Sequence, residues 1–207
     1  MKVPFRQQVS NYDCTPTSLT NALSYLFERK DLPPFIVQQV YKECLDIEAA
    51  RGTSDRAVQD LAFILKNYSE KKYRNFSVHS KILSECQVHL GRNSKIIQCI
   101  NTHGVAMLTV HLSRNDWHSI IAFQACDGWL YCYDPAPRRK RYIINPAVQF
   151  IPTIKPHDPN LKILTTWIDK DFDDAETVEE RKYILGPVED RECLLLNRIK
   201  SPPESTT

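Results

Sequence analysis

Apolar residues recur at helical spacing from Pro16 to about Lys30, through Leu19, Ala22, Leu23, Leu26 and Phe27, which predicts a first helix. Pro16 suits its opening turn, where a missing N–H costs no intrahelical bond. After "DLPP" a second helical stripe runs through Ile36, Val37, Val40, Tyr41, Cys44 and Leu45. A third follows "RGTSD", with Ala57, Val58, Leu61, Ala62 and Leu65 on one face and Thr53 or Ser54 placed to cap its free amides. The period then changes: "NFSVHS" reads as a short strand, "SKIIQCINT" as a short helix and "GVAMLTVHL" as a buried strand. "WHSIIAF" and "WLYCYD" are aromatic and β-branched runs around "QACDG", a hairpin signal. Further short strands are expected at "RYII", "LKILTTWI", "KYILG" and "ECLLLNRI". The pattern is α+β, helical first and sheet-forming afterwards.

A chain of 207 residues can bury a full core, and one domain over residues 1–200 with a disordered tail at 201–207 is expected. The net charge of +2, from 27 basic and 25 acidic side chains, gives no argument for nucleic acid or an anionic membrane as partner. No apolar window is long enough to span a bilayer, and the first residues lack the apolar core of a signal peptide, so a cytoplasmic location is expected. The seven cysteines form no CxxC or CxxH pair, which argues against a disulfide framework or a zinc site, and no cofactor is expected. The acidic run at 169–180 and the basic run "RRKR" at 138–141 read as solvated turns or faces, the basic one being the alternative place for an acidic substrate group.

Among the cysteines, Cys14 lies just before the first helix, where free N–H groups and the positive end of the helix dipole stabilise a thiolate. Thiol catalysis also needs a base and a group to orient it. His118 opens the strand "WHSIIAF" and Asp134 closes the partner run, whereas His79, His89, His103, His111 and His157 sit in polar or loop-edge surroundings with no carboxylate partner evident. A five-residue loop at "QACDG" sets His118 opposite Asp134. A two-residue turn at Asp127 and Gly128 sends the two side chains to opposite faces, because side chains alternate along a strand. A joint role for the pair therefore requires an odd-length loop or a bulge. For a developing oxyanion, Gln8 is a candidate donor beside the thiol's own backbone N–H, with Gln7 its alternative.

The stretches "QVSNYDCTPTSL" and "WHSIIAFQACDGWLYCYDPA" together resemble the papain-like peptidases of the C39 type, which remove bacteriocin leaders, and their stand-alone C39-like relatives. The resemblance extends loosely to about residue 150. It implies a papain-like cysteine proteinase fold with the nucleophile at a helix N-terminus packed on an antiparallel sheet. It further implies Cys14 as nucleophile, His118 as general base and acid, Asp134 as its orienter and Gln8 as oxyanion donor. Two positions depart from the family pattern. Thr15 stands where a glycine commonly follows the cysteine, and Trp117 where a small residue often precedes the histidine, which makes both candidates for shaping substrate access. The implied partner is a peptide or peptide-like substrate, cleaved through an acyl-thioester. Transfer of the acyl group to an amine or thiol, and a non-catalytic binding module, are the alternatives.

Overall fold

The first helix begins earlier than its apolar stripe, and this matters for the site. In the structure, a computed structural model that describes residues 1–45, 52–137, 146–174 and 182–199, α1 spans Cys14–Leu26, so Cys14 is its first helical residue. It stops short of Lys30 because Phe27 turns to extended backbone and buries its ring against Phe76, 4.7 Å between centroids. α2 (Pro34–Cys44) opens on a proline in its first turn. α3 (Asp55–Asn67) is capped by Ser54, whose hydroxyl accepts from the Ala57 N–H, while Thr53 instead donates to the Cys44 carbonyl at 2.8 Å.

Seven antiparallel strands form one sheet in the order β1-β7-β2-β3-β4-β6-β5: β1 (Val78–Ser84), β2 (Val105–Ser113), β3 (Asp116–Cys126), β4 (Trp129–Tyr133), β5 (Val148–Phe150), β6 (Leu161–Leu164) and β7 (Glu192–Arg198). Both faces of the central strands are buried. Val105 and Met107 of β2, with Ile121 and Phe123 of β3, join α1–α3 in one core, while Ala106, Leu108, Val110, Ile120 and Ala122 face a second core beside α4 (Lys95–Asn101) and α5 (Thr165–Ile168). This double burial explains the near-continuous apolar run of β2.

Three expectations are corrected and one pair of alternatives is decided. "TTWI" is not strand: β6 ends level with the β3–β4 turn, where no partner strand remains, and the chain turns into α5 with Thr165 bonded to the Gly128 carbonyl. "KYILG" makes only an isolated bridge, Ile184 to His111, because Tyr183 (φ 60°) and Gly186 (φ 74°) are left-handed and interrupt extension. Of the two hairpin loops open to the sequence, the structure has the two-residue turn. Asp127 and Gly128 both take positive φ, 51° and 77°, the conformation that suits the twist of a tight hairpin. Finally, Asp169 in the acidic run is no solvated charge: it pairs with buried Arg191 at 3.0 Å and accepts the Leu90 N–H. The "RRKR" and "RYII" segments and the tail lie outside the described residues, as does the acidic run beyond Asp174. Among the described residues no helix is long and apolar enough to cross a membrane.

Candidate active site

With a two-residue turn, simple pairing from Cys126–Trp129 would set Asp134 and His118 on opposite faces. A bulge prevents this. The register runs Cys126–Trp129, Ala125–Leu130, Gln124–Tyr131 and then Ala122–Cys132, so Phe123 is an extra residue on β3. Beyond it the pairing is shifted by one, and His118 and Asp134 return to the same face. The Nε2 of His118 donates to Asp134 Oδ1 at 2.6 Å, with both side chains buried.

Asp134 is held from every side. Its Oδ1 also accepts the Ala136 N–H at 2.8 Å, and its Oδ2 accepts the Tyr183 hydroxyl at 2.5 Å. Asn160 clamps its backbone, accepting the Asp134 N–H at 2.7 Å and donating to the Asp134 carbonyl at 2.8 Å. Asp134 is fully buried, so each of these donors offsets part of the cost of removing a carboxylate from water. Neither Tyr183 nor Asn160 stood out in the sequence. Tyr183 is 49 residues from Asp134, on a segment that reads as strand, and only its left-handed backbone marks it as unusual.

The thiol of Cys14 and the ring of His118 are near enough for each to shift the other's protonation. With Nε2 engaged by Asp134, Nδ1 is the ring nitrogen left to serve the thiol. Burial pushes the Cys14 thiol up. The hydrogen bond and charge of His118, the Ser119 backbone and the Thr15 hydroxyl outweigh it, and the net shift is below the ordinary 9.0. For His118, burial favours the neutral ring, but hydrogen bonds to Asp134 and Cys14 and their negative charges outweigh it and raise the pKa to about 9. Both shifts favour a thiolate facing an imidazolium. Elsewhere the thiols move the other way: burial raises Cys99, to about 11, as well as Cys132 and Cys193, and neighbouring Asp127 raises Cys126.

Helix α1 presents its start uncapped. The Asp13 carboxylate turns back to accept the Val9 and Ser10 N–H groups at 3.0 and 2.7 Å and makes no cap bond to α1. The opening turn is fixed to β3 instead, by a 2.7 Å bond between the Thr15 and Ser119 hydroxyls and by Ser18 donating to the Ser119 carbonyl. Thr15 is thus a brace between helix and strand.

Cys14, Thr15, Trp117 and His118 line a cleft of about 660 Å³. Trp117 is 48% exposed at its mouth, packed against the His111 ring. His111 itself departs from expectation: it is buried between Trp117 and Phe172, and burial keeps it neutral. Gln8 does not line the cleft. Its backbone N–H is tied to the Pro135 carbonyl at 2.8 Å, its Nε2 donates to the Ser10 carbonyl at 2.7 Å, and its buried Oε1 has no partner among the described residues. A hollow of about 450 Å³ beside Met1, Arg29 and Tyr73 holds none of these groups. Among the described residues, no three His, Cys, Asp or Glu side chains gather as a metal site.

Compared with known proteins, the chain matches no family model and no curated sequence. The functional reading therefore rests on the residues and their geometry.

Proposed function

We propose that this protein is a papain-like cysteine hydrolase that cleaves an amide bond in a peptide or peptide-like substrate. The observation that carries the reading is the series Cys14–His118–Asp134, a buried ring and carboxylate beside a half-buried thiol, in which thiol and ring shift each other's pKa in opposite directions. In the proposed reaction the Cys14 sulfur attacks the carbonyl carbon, and the oxyanion that forms is met by the Cys14 N–H at the uncapped start of α1. His118 gives its Nδ1 proton to the departing amine as the tetrahedral intermediate collapses to the acyl-thioester. Water, deprotonated by the same nitrogen, then releases the acid and returns the thiolate. Asp134 keeps the ring oriented throughout and stabilises its cationic form.

Gln8 is the second oxyanion donor in this proposal. One of its two Nε2 protons serves Ser10, and the unpaired Oε1 gives the amide little to lose on turning toward the cleft. Seven free thiols fit the reducing cytoplasm as the place of work.

The test is the rate of carbamidomethylation at each cysteine near neutral pH, read by peptide mapping. Cys14, half-buried, is expected to react at least about tenfold faster than exposed Cys86, and to lose that advantage in His118→Ala. Equal rates would remove the main support for catalysis.

A further inference from the structure

The wall of the cleft facing the thiol carries a chemistry that the amide-cleaving reading does not use. Five carboxylates line it: Asp55 at the start of α3, Glu85 after β1, and Glu189, Asp190 and Glu192 leading into β7. Among the described residues the lining holds one guanidinium, Arg191, which is spent inside the protein, and the charge of His118 is matched by the Cys14 thiolate. Arg191 Nε donates to the Gly186 carbonyl at 2.8 Å, Nη1 to the Val88 carbonyl at 3.2 Å and to Asp169 Oδ1 at 3.0 Å, and Nη2 to the Asp169 carbonyl at 2.9 Å. Arg191 fixes the wall in place and leaves its acidity uncancelled.

The acids are also crowded. Burial, together with the neighbouring Asp55 carboxylate, raises Glu192 to about 7. A cation placed between two such carboxyl groups favours their ionised forms. Glu85 sits at φ 54°, held there by its N–H to the Arg191 carbonyl at 2.9 Å, so a glutamate occupies backbone that glycine takes at less cost. The cleft lining therefore combines the thiol with a net excess of carboxylates, and a cleft lined by one sign of charge concentrates ligands of the other.

We infer that the cleft selects substrates bearing a cationic group, an ammonium or guanidinium, within reach of the Cys14 thiol. This rests on Cys14 being the nucleophile of the site. A lysine or arginine side chain beside the scissile bond would lie against Glu189, Asp190 and Glu192 and favour their ionised forms. An acidic residue there would meet repulsion, because Arg191 is spent inside the protein and the charge of His118 is matched by the thiolate.

The test uses three methanethiosulfonates of similar size on the intact chain: trimethylammonioethyl, sulfonatoethyl and a neutral alkyl reagent. In each, the Cys14 thiolate attacks the sulfenyl sulfur, a disulfide forms and methanesulfinate leaves, so the chemistry is constant while the charge varies. Rates at Cys14, mapped by peptide and divided by those of a free thiol in solution, are expected in the order cationic, neutral, anionic. The ratio of first to last should be at least about tenfold at low ionic strength and fall toward one near 0.5 M salt. In Glu189→Gln/Asp190→Asn, two exposed rim positions, that ratio should drop severalfold. A ratio of one or below at low salt, or one that the double variant leaves untouched, overturns the inference. The neutral reagent reports separately on the nucleophile: Cys14 no faster than Cys86 there would count against the hydrolase reading, while the charge ratio still decides the selectivity.

Discussion

Tyr183 donates its hydroxyl to one oxygen of Asp134 while His118 holds the other, at 2.5 and 2.6 Å. The carboxylate is thereby fixed in the plane that the imidazole needs, by a tyrosine whose own backbone is left-handed. Tyr183 is a positioning residue, acting through Asp134, and it does not line the cleft. Tyr183→Phe should lower kcat severalfold with little change in KM, and should cost about 1–3 kcal/mol of stability by leaving a buried acceptor underserved. Denaturant melts and steady-state kinetics read the two effects apart.

The opposed shifts of Cys14 and His118 fix the shape of the pH profile. The active ion pair requires a deprotonated thiol and a protonated ring. Activity should rise as Cys14 loses its proton, below the ordinary 9.0, and fall as His118 loses its own at about 9. Asp134→Asn removes a charge and an acceptor that raise His118, so the alkaline limb should move down toward 6.5. A limb that stays near 9 in this variant would mean that another group sets it.

Gln8 separates oxyanion stabilisation from thiol activation. Gln8→Ala should reduce kcat by about 10²–10³-fold if the amide turns in to hold the oxyanion, and should leave the alkylation rate of Cys14 unchanged. A purely structural Gln8, anchored to Pro135 and Ser10, would instead lower the melting temperature and spare kcat.

Thr15 has a mechanical task, bracing the start of α1 against β3. Thr15→Val keeps the shape but deletes the bond to Ser119, leaving the Ser119 hydroxyl unpaired in buried surroundings; a loss of about 1–3 kcal/mol is expected. The Thr15 hydroxyl also helps hold the thiol down, so the pKa of Cys14 should rise in the same variant, measured by thiolate absorbance.

What could be read in advance divides along physical lines. Helices α1 to α4 are legible because their apolar residues keep helical spacing, and before α3 a capping residue, Thr53 or Ser54, stands where one belongs. β5 was missed: three residues are too few for any period to show. "TTWI" and "KYILG" misled because they are apolar enough for strand, and what decides them is whether a partner edge is present. Cys14, His118 and Asp134 stood out because thiol, ring and carboxylate are rare at those local positions. Tyr183, Asn160 and the carboxylate wall did not, since their meaning arises only when segments distant in sequence are folded together.

The unpaired Phe123 makes the β3–β4 hairpin a counting device. From the Asp127–Gly128 turn the chain lays nine residues on the first strand back to His118 and six on the second out to Asp134, and the one unpaired residue turns that odd difference into an even offset that keeps ring and carboxylate on the same face. Exchanging side chains within the segment leaves the count intact, whereas losing or gaining a single residue flips its parity and parts the two groups. For this site, an indel of one codon in the hairpin is a greater hazard than most substitutions that could fall there.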